Sequence, residues 1–297
     1  MIDFRPIRPR DCSVVSPILK NSGVENCDHC FATMLVWSHR HPVEIALVEG
    51  TVFMRSFGNA HWWYLYPVGD MPREKAIQLI LDDARQNNIK ASIYGIDRRG
   101  AEFLQSRFDE VLEIKEDRDG SDYIYLVSDL ANLPSKNYQK KRNHCSRFVR
   151  ENPDYKFIVM SSENIHRAKQ FEADWCLRYD CGRGRDLSSE QRGIMELLDN
   201  FESLGLKGAM IETNGEIVAM SIAAEINSRM VDVMVEKAYH DVNGAYAIIN
   251  RDFAANCFSS YELINREDDM GAENLRKAKM SYFPYEIRKK YLAQSRD

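Results

Sequence analysis

The sequence predicts an α+β protein with mixed α/β sheets, built from two similar halves. Its 297 residues are about twice the commonest domain size, so two domains are expected. The predicted element order, helix–strand–strand–strand–helix–strand–helix, occurs twice, with a boundary near Leu133-Pro134. Asn214-Gly215 lies between two strand-like runs and predicts a tight hairpin, because both positions must accept positive φ. We therefore expect residues 1–134 and 135–297 to be separate domains, each with its own central sheet and helices on both faces.

In the first half, the spacing of apolar residues changes between helical and strand-like periods. Asp11 can cap a helix that runs through Lys20. The segment 73–88 places Ala76 and Ile80 on one face, which predicts an amphipathic helix. The same periods predict the other elements, which are helices near 30–37 and 100–108 and strands at 43–50, 51–57, 61–69, 91–96 and 122–133.

The second half repeats this order after a basic helix at 136–151. Its hairpin occupies 208–226 and turns at Asn214-Gly215. The remaining predicted elements are strands at 155–160, 230–239 and 261–267 and helices at 162–179, 188–204, 245–258 and 272–283.

Charge and hydropathy exclude some classes of protein. Forty basic and forty-five acidic residues give a net charge of -5, which argues against a dedicated nucleic-acid coat but leaves room for a local basic patch. No apolar run approaches the roughly 20 residues that span a bilayer. The amino-terminal residues also lack the apolar core of a signal peptide. We therefore expect a soluble protein located in the cytoplasm.

Two stretches, DLANLPSKNYQKKRNHCSRFVRENPDYKF (129–157) and INREDDMGAENLRKAKMSYFP (264–284), resemble the DUF2156 group. That group is related to the catalytic region of bacterial phosphatidylglycerol lysyltransferases, and both are similar to the Fem peptidoglycan transferases. The resemblance implies two GNAT-like acyltransferase domains in tandem and the transfer of an aminoacyl or acyl group. The membrane-embedded flippase portion of the lipid lysyltransferases has no counterpart in the sequence, which argues against a lipid acceptor.

The first candidate site is a basic segment, 136–150, that contains no acidic residue. Its basic side chains can neutralise phosphates, and His144 can stack on a base or a sugar. The candidate substrate-binding residues here are Lys136, Lys140, Lys141, Arg142, His144 and Arg147. The bound polyanion would be tRNA, the pyrophosphate of CoA or an anionic headgroup. The alternative is a solvated helix that links the two halves.

The second candidate site follows the strand that ends at Asn265. Asp268 and Asp269 would bind the attacking amine or take its proton, at the carboxyl end of a strand where α/β sites usually open. Lys279 would neutralise a phosphate or ester oxygen of the donor, and Tyr282 would donate a proton to the leaving oxygen. The candidate substrate-binding residues at this site are Asn265 and Arg276. The alternative is that acidic residues before a helix and basic residues within it only complement the helix dipole.

Lys279 shares a helical face with Leu275, Tyr282 and Phe283 and should therefore point inward. A buried ammonium needs an anionic partner, which Asp268, Asp269 or a ligand phosphate can provide.

GNAT enzymes that use acetyl-CoA hold its pyrophosphate on a glycine-rich loop between a strand and a helix. The equivalent segment here is 239–250, in which Gly244 matches the central glycine and is the candidate cofactor-binding residue. Asp241 and Tyr246 occupy positions that would be basic and small. This departure argues against acetyl-CoA and agrees with relatives that use aminoacyl-tRNA, although acyl-CoA stays open as a donor.

The remaining motifs favour structural roles. Cys27 and Cys30 form a lone Cys-x-x-Cys pair without the second pair that a zinc site requires, so no metal site is predicted. His144 and Cys145 are adjacent on a helix and point apart, which excludes a nucleophilic pair. The segment YDCGRGRD (179–186) is either a substrate lid or a plain surface loop.

The leading hypothesis is an acyltransferase that moves an aminoacyl or acyl group onto an amine or a hydroxyl. The alternative is a non-catalytic binding module that keeps the GNAT-like fold and a basic anion-binding groove. The identities of donor and acceptor and the oligomeric state are left open by the sequence.

Overall fold

The computed structural model of the chain describes residues 2–58, 60–179 and 185–296. Residues 180–184 of the predicted lid or loop lie outside these ranges. The helices are α1 (Cys12–Asn21), α2 (Phe31–Trp37), α3 (Arg73–Gln86), α4 (Arg98–Phe108), α5 (Val127–Asn132), α6 (Gln139–Glu151), α7 (Ile165–Arg178), α8 (Arg185–Asp199), α9 (Ala245–Cys257) and α10 (Glu273–Met280). The strands are β1 (Arg5–Pro6), β2 (Val43–Val48), β3 (Thr51–Gly58), β4 (His61–Leu65), β5 (Val68–Gly69), β6 (Ser92–Ile96), β7 (Leu112–Leu126), β8 (Lys156–Val159), β9 (Lys207–Thr213), β10 (Glu216–Asn227), β11 (Met230–Ala238), β12 (Leu263–Asn265) and β13 (Glu286–Ser295).

The strands form one continuous mixed sheet rather than the two separate sheets expected from the sequence. Its order is β1-β2-β3-β4-β6-β13-β7-β12-β11-β10-β9-β8, with β5 paired to β3 outside this path. The last strand, β13, inserts between β6 and β7 and so returns the chain to its first half. On its other side, β7 pairs with β12, which joins the strands of the first half to those of the second. The sequence did not predict β13, because charged residues interrupt its apolar pattern.

The two halves nevertheless share a local arrangement. In each half, a strand, a helix and a second strand parallel to the first follow one another, as β4–α3–β6 and β11–α9–β12. The division of the chain at residue 134 stays a prediction, and β13 crosses back over it.

The hairpin between β9 and β10 is confirmed. Asn214 and Gly215 connect the strands with φ values of 52° and 81°, which suit a turn whose twist matches that of its strands.

Helix α2 packs against α8 in the core that joins the halves, with Leu35 of α2 and Leu197 of α8 both buried there. The helices approach so closely that a Cβ at Gly193 would lie 2.5 Å from the carbonyl oxygen of Val36. In the described residues, no helix is long and apolar enough to cross a bilayer.

Candidate active site

The candidate active site lies where two parallel strands stop pairing. β11 and β12 pair over three positions, the last being Asp232 with Asn265. β12 ends there, while β11 continues to Ala238. The β10–β11 pairing shifts register at Met234, which has no partner on β10. The chain leaves β12 through residues 266–272 before α10, so this segment borders the opening beyond the paired positions.

A row of buried polar side chains crosses three strands below this opening. Asn265 donates a 2.6 Å hydrogen bond to Asp122 of β7, and its own oxygen accepts one from the main-chain N–H of Glu267. Asp232 accepts a 2.7 Å hydrogen bond from Thr33, while its Oδ1 atom has no partner among the described residues. Asn265 is fully buried. This geometry makes it a support for the loop, whereas the sequence suggested substrate binding.

Lys290 of β13 provides a buried positive charge at the centre of the site. Its ammonium lies 2.8 Å from carboxylate oxygens of Asp28 and Asp122 and 3.9 Å from that of Asp268. Burial alone would lower the pKa of Lys290, but the carboxylates of Asp122 and Asp28 raise that pKa well above its usual range. Sequence reasoning missed this residue because β13 was not predicted.

The Lys290 ammonium also lies among a group of possible metal ligands that includes Cys27. Possible ligand atoms of Cys27, Asp122 and Asp268 lie within 4.8 Å of one another, a spacing that a metal ion can bridge. The Lys290 ammonium lies 3.4 Å from the Cys27 sulfur and also approaches both carboxylates. A cation supplied by the chain therefore already satisfies these groups.

Lys279 organises the loop that carries the acidic residues. As expected from its helical face, its side chain is buried. Its ammonium donates to two main-chain carbonyl oxygens, those of Arg266 (2.6 Å) and Asp268, rather than to a carboxylate. Burial lowers the pKa of Lys279. The geometry gives Lys279 a positioning role in place of direct contact with Asp268 or Asp269.

Asp269 is held in a saturated network. It accepts hydrogen bonds from the Tyr123 hydroxyl (2.5 Å), the Gly271 N–H (2.9 Å) and two nitrogens of Arg276 (both 2.8 Å). Arg276 also binds Asp119 at 2.7 Å. Hydrogen bonds from Arg276 hold the pKa of Asp269 well below its usual range. Both residues are thus engaged with one another, and their roles in catalysis and substrate binding stay predictions.

Asp268 has a different environment from its neighbour. Its Oδ1 atom accepts a hydrogen bond from the Met270 N–H at 3.0 Å, and 23% of its side chain is exposed. Burial raises the pKa of Asp268 to about 6, against the opposing effect of Lys290. A carboxylate with a pKa slightly below neutrality is well suited to accept a proton.

Glu267 is a further acidic group that the sequence did not single out for a role. Its backbone has a φ of 56°, an unfavourable conformation for a residue with a side chain. The Tyr123 N–H donates to the Glu267 carbonyl oxygen, and the Tyr123 carbonyl oxygen accepts from the Arg266 N–H. These two main-chain hydrogen bonds hold the conformation of Glu267. The Oε1 atom of Glu267 is buried without a partner among the described residues. Burial, and after it the negative charge of Asp232, raises the pKa of Glu267 well above its usual range.

The tertiary structure brings the two sequence-predicted sites together at Tyr282. The ammonium of Lys141 lies 3.6 Å from the centre of the Tyr282 ring, and the guanidinium of Arg266 lies 4.9 Å from it. The Tyr138 hydroxyl donates to the Tyr282 carbonyl oxygen at 2.8 Å. Burial, and after it the positive charge of Arg266, lowers the pKa of Lys141 to about 8. Burial raises the pKa of the Tyr282 hydroxyl above its usual value. Tyr282 is therefore a protonated hydroxyl at neutral pH.

The other basic residues of the first site divide into two groups. Arg142 donates to the carbonyl oxygens of Leu133 and Ser135, so it ties α6 to the connection between the halves. Four of the candidate residues are exposed: Lys136, which lies just before α6, and Lys140, His144 and Arg147 on the helix. Arg147 pairs with Glu151 at 2.8 Å. Burial, together with the nearby cations, lowers the pKa of His144.

Gly244 serves close packing at the start of α9. It has a φ of 84°, and a Cβ there would lie 2.5 Å from the carbonyl oxygen of His144 and 3.0 Å from Cβ of Phe148. Helix α6 therefore lies directly over the glycine that the sequence matched to a pyrophosphate loop. The nearby Asp241 is paired with Arg178 at 2.5 Å.

The model of the family described as phosphatidylglycerol lysyltransferase, C-terminal, matches residues 20–294. The chain belongs to this family. The resemblance to the DUF2156 group expected from residues 129–157 and 264–284 is confirmed.

Solved structures share the fold over nearly the whole chain. A conserved protein of unknown function from Bacteroides thetaiotaomicron VPI-5482 is 34% identical, with a TM-score of 0.93 and 100% of both chains covered. The C-terminal domain (DUF2156) of a putative lysylphosphatidylglycerol synthetase from Agrobacterium fabrum is 15% identical, with a TM-score of 0.67, covering 96% of this chain and 91% of its own. L-PGS from Bacillus licheniformis is 17% identical, with a TM-score of 0.65, covering 97% of this chain and 92% of its own.

The expected mixed α/β fold is confirmed. Membership of the phosphatidylglycerol lysyltransferase C-terminal family supports an acyltransferase.

Proposed function

We propose that the chain transfers an aminoacyl group from aminoacyl-tRNA to an amine or hydroxyl acceptor. The observation that carries this proposal is Asp268, a partly exposed carboxyl group with a pKa raised to about 6, beside the buried Lys290 at the end of the β11–β12 pair. A group with that pKa is ionised at neutral pH and can still receive a proton during the reaction.

In the proposed mechanism, the acceptor nitrogen or oxygen attacks the carbonyl carbon of the aminoacyl ester. Asp268 takes the proton that the acceptor loses as the new bond forms. The bond between the carbonyl carbon and the ribose oxygen then breaks, and that oxygen takes a proton, which returns Asp268 to its ionised form. The protonated hydroxyl of Tyr282 is proposed to donate a hydrogen bond to the leaving oxygen.

The packing around α9 favours aminoacyl-tRNA over acyl-CoA as the donor. A CoA pyrophosphate would need the main-chain N–H groups at the start of α9 to be accessible. Helix α6 lies against Gly244 at that point. The exposed Lys136 and Lys140 are available to tRNA phosphates without any rearrangement of this packing.

The test measures acceptor-dependent loss of the ester bond from bulk radiolabelled aminoacyl-tRNA. The acceptors are a small peptide with a free amine and vesicles containing phosphatidylglycerol. We expect transfer by the wild type and a loss of about 100-fold or more in Asp268→Asn, the range for removing a general base. Asp109→Asn, which changes an exposed carboxylate elsewhere, should keep full activity.

Three results would count against the proposal. Full activity of Asp268→Asn would remove this residue from the mechanism. Consumption of acyl-CoA in place of aminoacyl-tRNA would overturn the donor. Binding of aminoacyl-tRNA without turnover on any acceptor would identify the non-catalytic binding module instead.

A further inference from the structure

A second polar cavity lies in the first half of the chain, and none of its lining residues belongs to the candidate active site. Its volume is about 330 Å³. It is bounded by Tyr66 just after β4, by the first turn of α3 and by the first turn of α4. The side chains that decide its chemistry are Tyr66, Asp70, Arg73, Asp97 and Arg99.

The start of α3, where Arg73 lines the cavity, has main-chain hydrogen-bond donors without a helical acceptor. The helix runs for 14 residues from Arg73, and no side chain caps it because Pro72 occupies the capping position. The first helical acceptor is used by Ala76, whose N–H donates to the Pro72 carbonyl oxygen. The N–H groups of the three residues before Ala76 have no helical acceptor, and together with the helix dipole they favour an anion.

Tyr66 supplies a second and independent sign of a missing ligand. The residue is only 3% exposed, and its hydroxyl has no hydrogen-bond partner in the described part of the chain. The end of its ring is packed against the start of α4, since a Cβ at Gly100 would lie 3.0 Å from Cζ of Tyr66. A buried hydroxyl without a partner is costly, so an acceptor from a ligand would relieve this cost.

Side chains of both charges line the cavity, but they are not equally available to a ligand. The side chains of Arg73 and Arg99 are exposed at its mouth. Asp97 already accepts a 2.7 Å hydrogen bond from the Gly100 N–H and so caps α4. Asp70 is the carboxylate that would oppose an incoming anion.

We propose that this cavity binds a phosphate or diphosphate group of a small molecule. The free N–H groups of α3, the Tyr66 hydroxyl and the two arginines are hydrogen-bond donors of the kind that phosphate oxygens require. The site stands apart from the proposed transfer reaction and does not depend on it.

Isothermal titration of the full chain with inorganic phosphate, pyrophosphate and adenosine diphosphate tests the proposal. We expect saturable binding of at least one probe. Preference for pyrophosphate over adenosine diphosphate would mark a free diphosphate as the ligand, and the opposite preference would mark a nucleotide. Either preference supports the site, whereas no saturable binding of any probe below about 10 mM would overturn it.

Matched variants locate the binding. Tyr66→Phe and Arg73→Gln should each weaken it by about fivefold or more, the effect of one lost hydrogen bond. Asp70→Asn should strengthen it, because a repelling charge is removed. Arg85→Gln, at the far end of the same helix, should leave binding unchanged.

Two further measurements distinguish binding in this cavity from a loss of folding and from binding at the basic helix α6. Tyr66→Phe removes only the unpartnered hydroxyl, so its thermal stability should match or exceed that of the wild type. Lys140→Gln should bind as the wild type does. Equal weakening by Lys140→Gln and Arg73→Gln would assign the anion to the basic helix and overturn the proposal.

Discussion

At the scale of single residues, the neighbouring aspartates 268 and 269 show how environment decides chemistry. Both belong to the same acidic run, and the sequence assigned them one shared role. Asp269 is fully buried and saturated by hydrogen bonds, which lower its pKa. Asp268 is partly exposed, and its pKa is raised to about 6 by burial. Only Asp268 is therefore suited to accept a proton near neutral pH.

This difference predicts opposite effects on stability for the same substitution. Asp269→Asn should lower the free energy of unfolding by about 2–4 kcal/mol, because charged hydrogen bonds with Arg276 are lost. Asp268→Asn should leave stability unchanged or raise it, since no buried ion pair is broken at hydrogen-bonding distance. Urea denaturation at pH 7 measures both. Equal losses would show that Asp268 is also a structural residue.

The pH dependence of these variants follows from the directions of the pKa shifts. The stabilisation from Asp269 is present above the unfolded-state pKa of about 3.9 and is lost as pH falls towards its lower folded-state value. The effect of Asp268 on stability has the opposite sign, because its pKa is raised by folding. Its ionisation therefore lowers stability as pH rises from about 4 to its folded-state pKa of about 6. We expect Asp269→Asn to flatten the acid limb of the stability curve. The advantage of Asp268→Asn over the wild type should grow across that window from about 4 to 6 and stay constant above it.

Lys279 and Lys277 form a second matched pair, on one helix. Lys279 is buried and holds the carbonyl oxygens of Arg266 and Asp268, whereas Lys277 is exposed and pairs with Glu273. Lys279→Met should reduce kcat in the transfer assay by about tenfold or more, because the loop that carries Asp268 loses its support. Lys277→Met should keep both stability and kcat. A change in kcat shared by the two variants would contradict a positioning role for Lys279.

At the scale of elements, helix α6 has an inner and an outer side. Cys145 and Phe148 are buried on the inner side, and Lys141 reaches Tyr282. Lys140 on the outer side and Lys136, just before the helix, remain exposed. The helix is thus a packed part of the C-terminal core that also presents cations to solvent.

The outer lysines are expected to bind tRNA phosphates. Lys136→Ala combined with Lys140→Ala should weaken tRNA binding and reduce the slope of log K against log salt by about two, one unit for each lost phosphate contact. Thermal stability should be unchanged because both side chains are exposed. Arg142→Ala should instead lower the melting temperature, since Arg142 binds main-chain carbonyls at Leu133 and Ser135. Unchanged affinity in the double variant would confine α6 to a structural role.

The contact between α6 and α9 gives another prediction at this scale. Gly244 and Gly215 both have positive φ, at 84° and 81°, but only Gly244 faces neighbouring atoms within 4 Å. Gly215→Ala should cost about 1 kcal/mol from backbone conformation alone. Gly244→Ala should cost about 1–3 kcal/mol more, because its Cβ would overlap with α6. Equal losses in chemical denaturation would contradict the close packing.

At the scale of the whole molecule, β13 joins the two halves into one sheet. It lies between β6 and β7 and carries Lys290 into the candidate active site. Unfolding of either half would therefore break the sheet and expose the buried charges of the seam. We expect β3 and β10, from opposite halves, to exchange their most protected amide hydrogens through the same global unfolding as urea is increased. Separate unfolding free energies for the two strands would show that the halves unfold independently.

The sequence alone determined most of the local structure of this protein. The apolar periods predicted most of the helices and strands near their observed places, and Asn214-Gly215 predicted its hairpin, because these signals depend on residues close together in the chain. Residues 127–132, which were predicted to continue a strand, instead form α5. The segments 129–157 and 264–284 also indicated the family. Each of these signals is a property of a short segment of the sequence.

Only the tertiary structure decided how the site is assembled. β13 was missed because its charged residues hide a strand whose pairing partners lie in the first half of the chain. Consequently Lys290, which holds Asp28 and Asp122 together, was also missed. The difference in acidity between Asp268 and Asp269 arises from the burial of Asp268 and from the hydrogen bonds that Arg276 and Tyr123 donate to Asp269, and both depend on strand order and helix packing. Burial and charge pairing depend on distances in space, and spacing along the chain does not specify those distances.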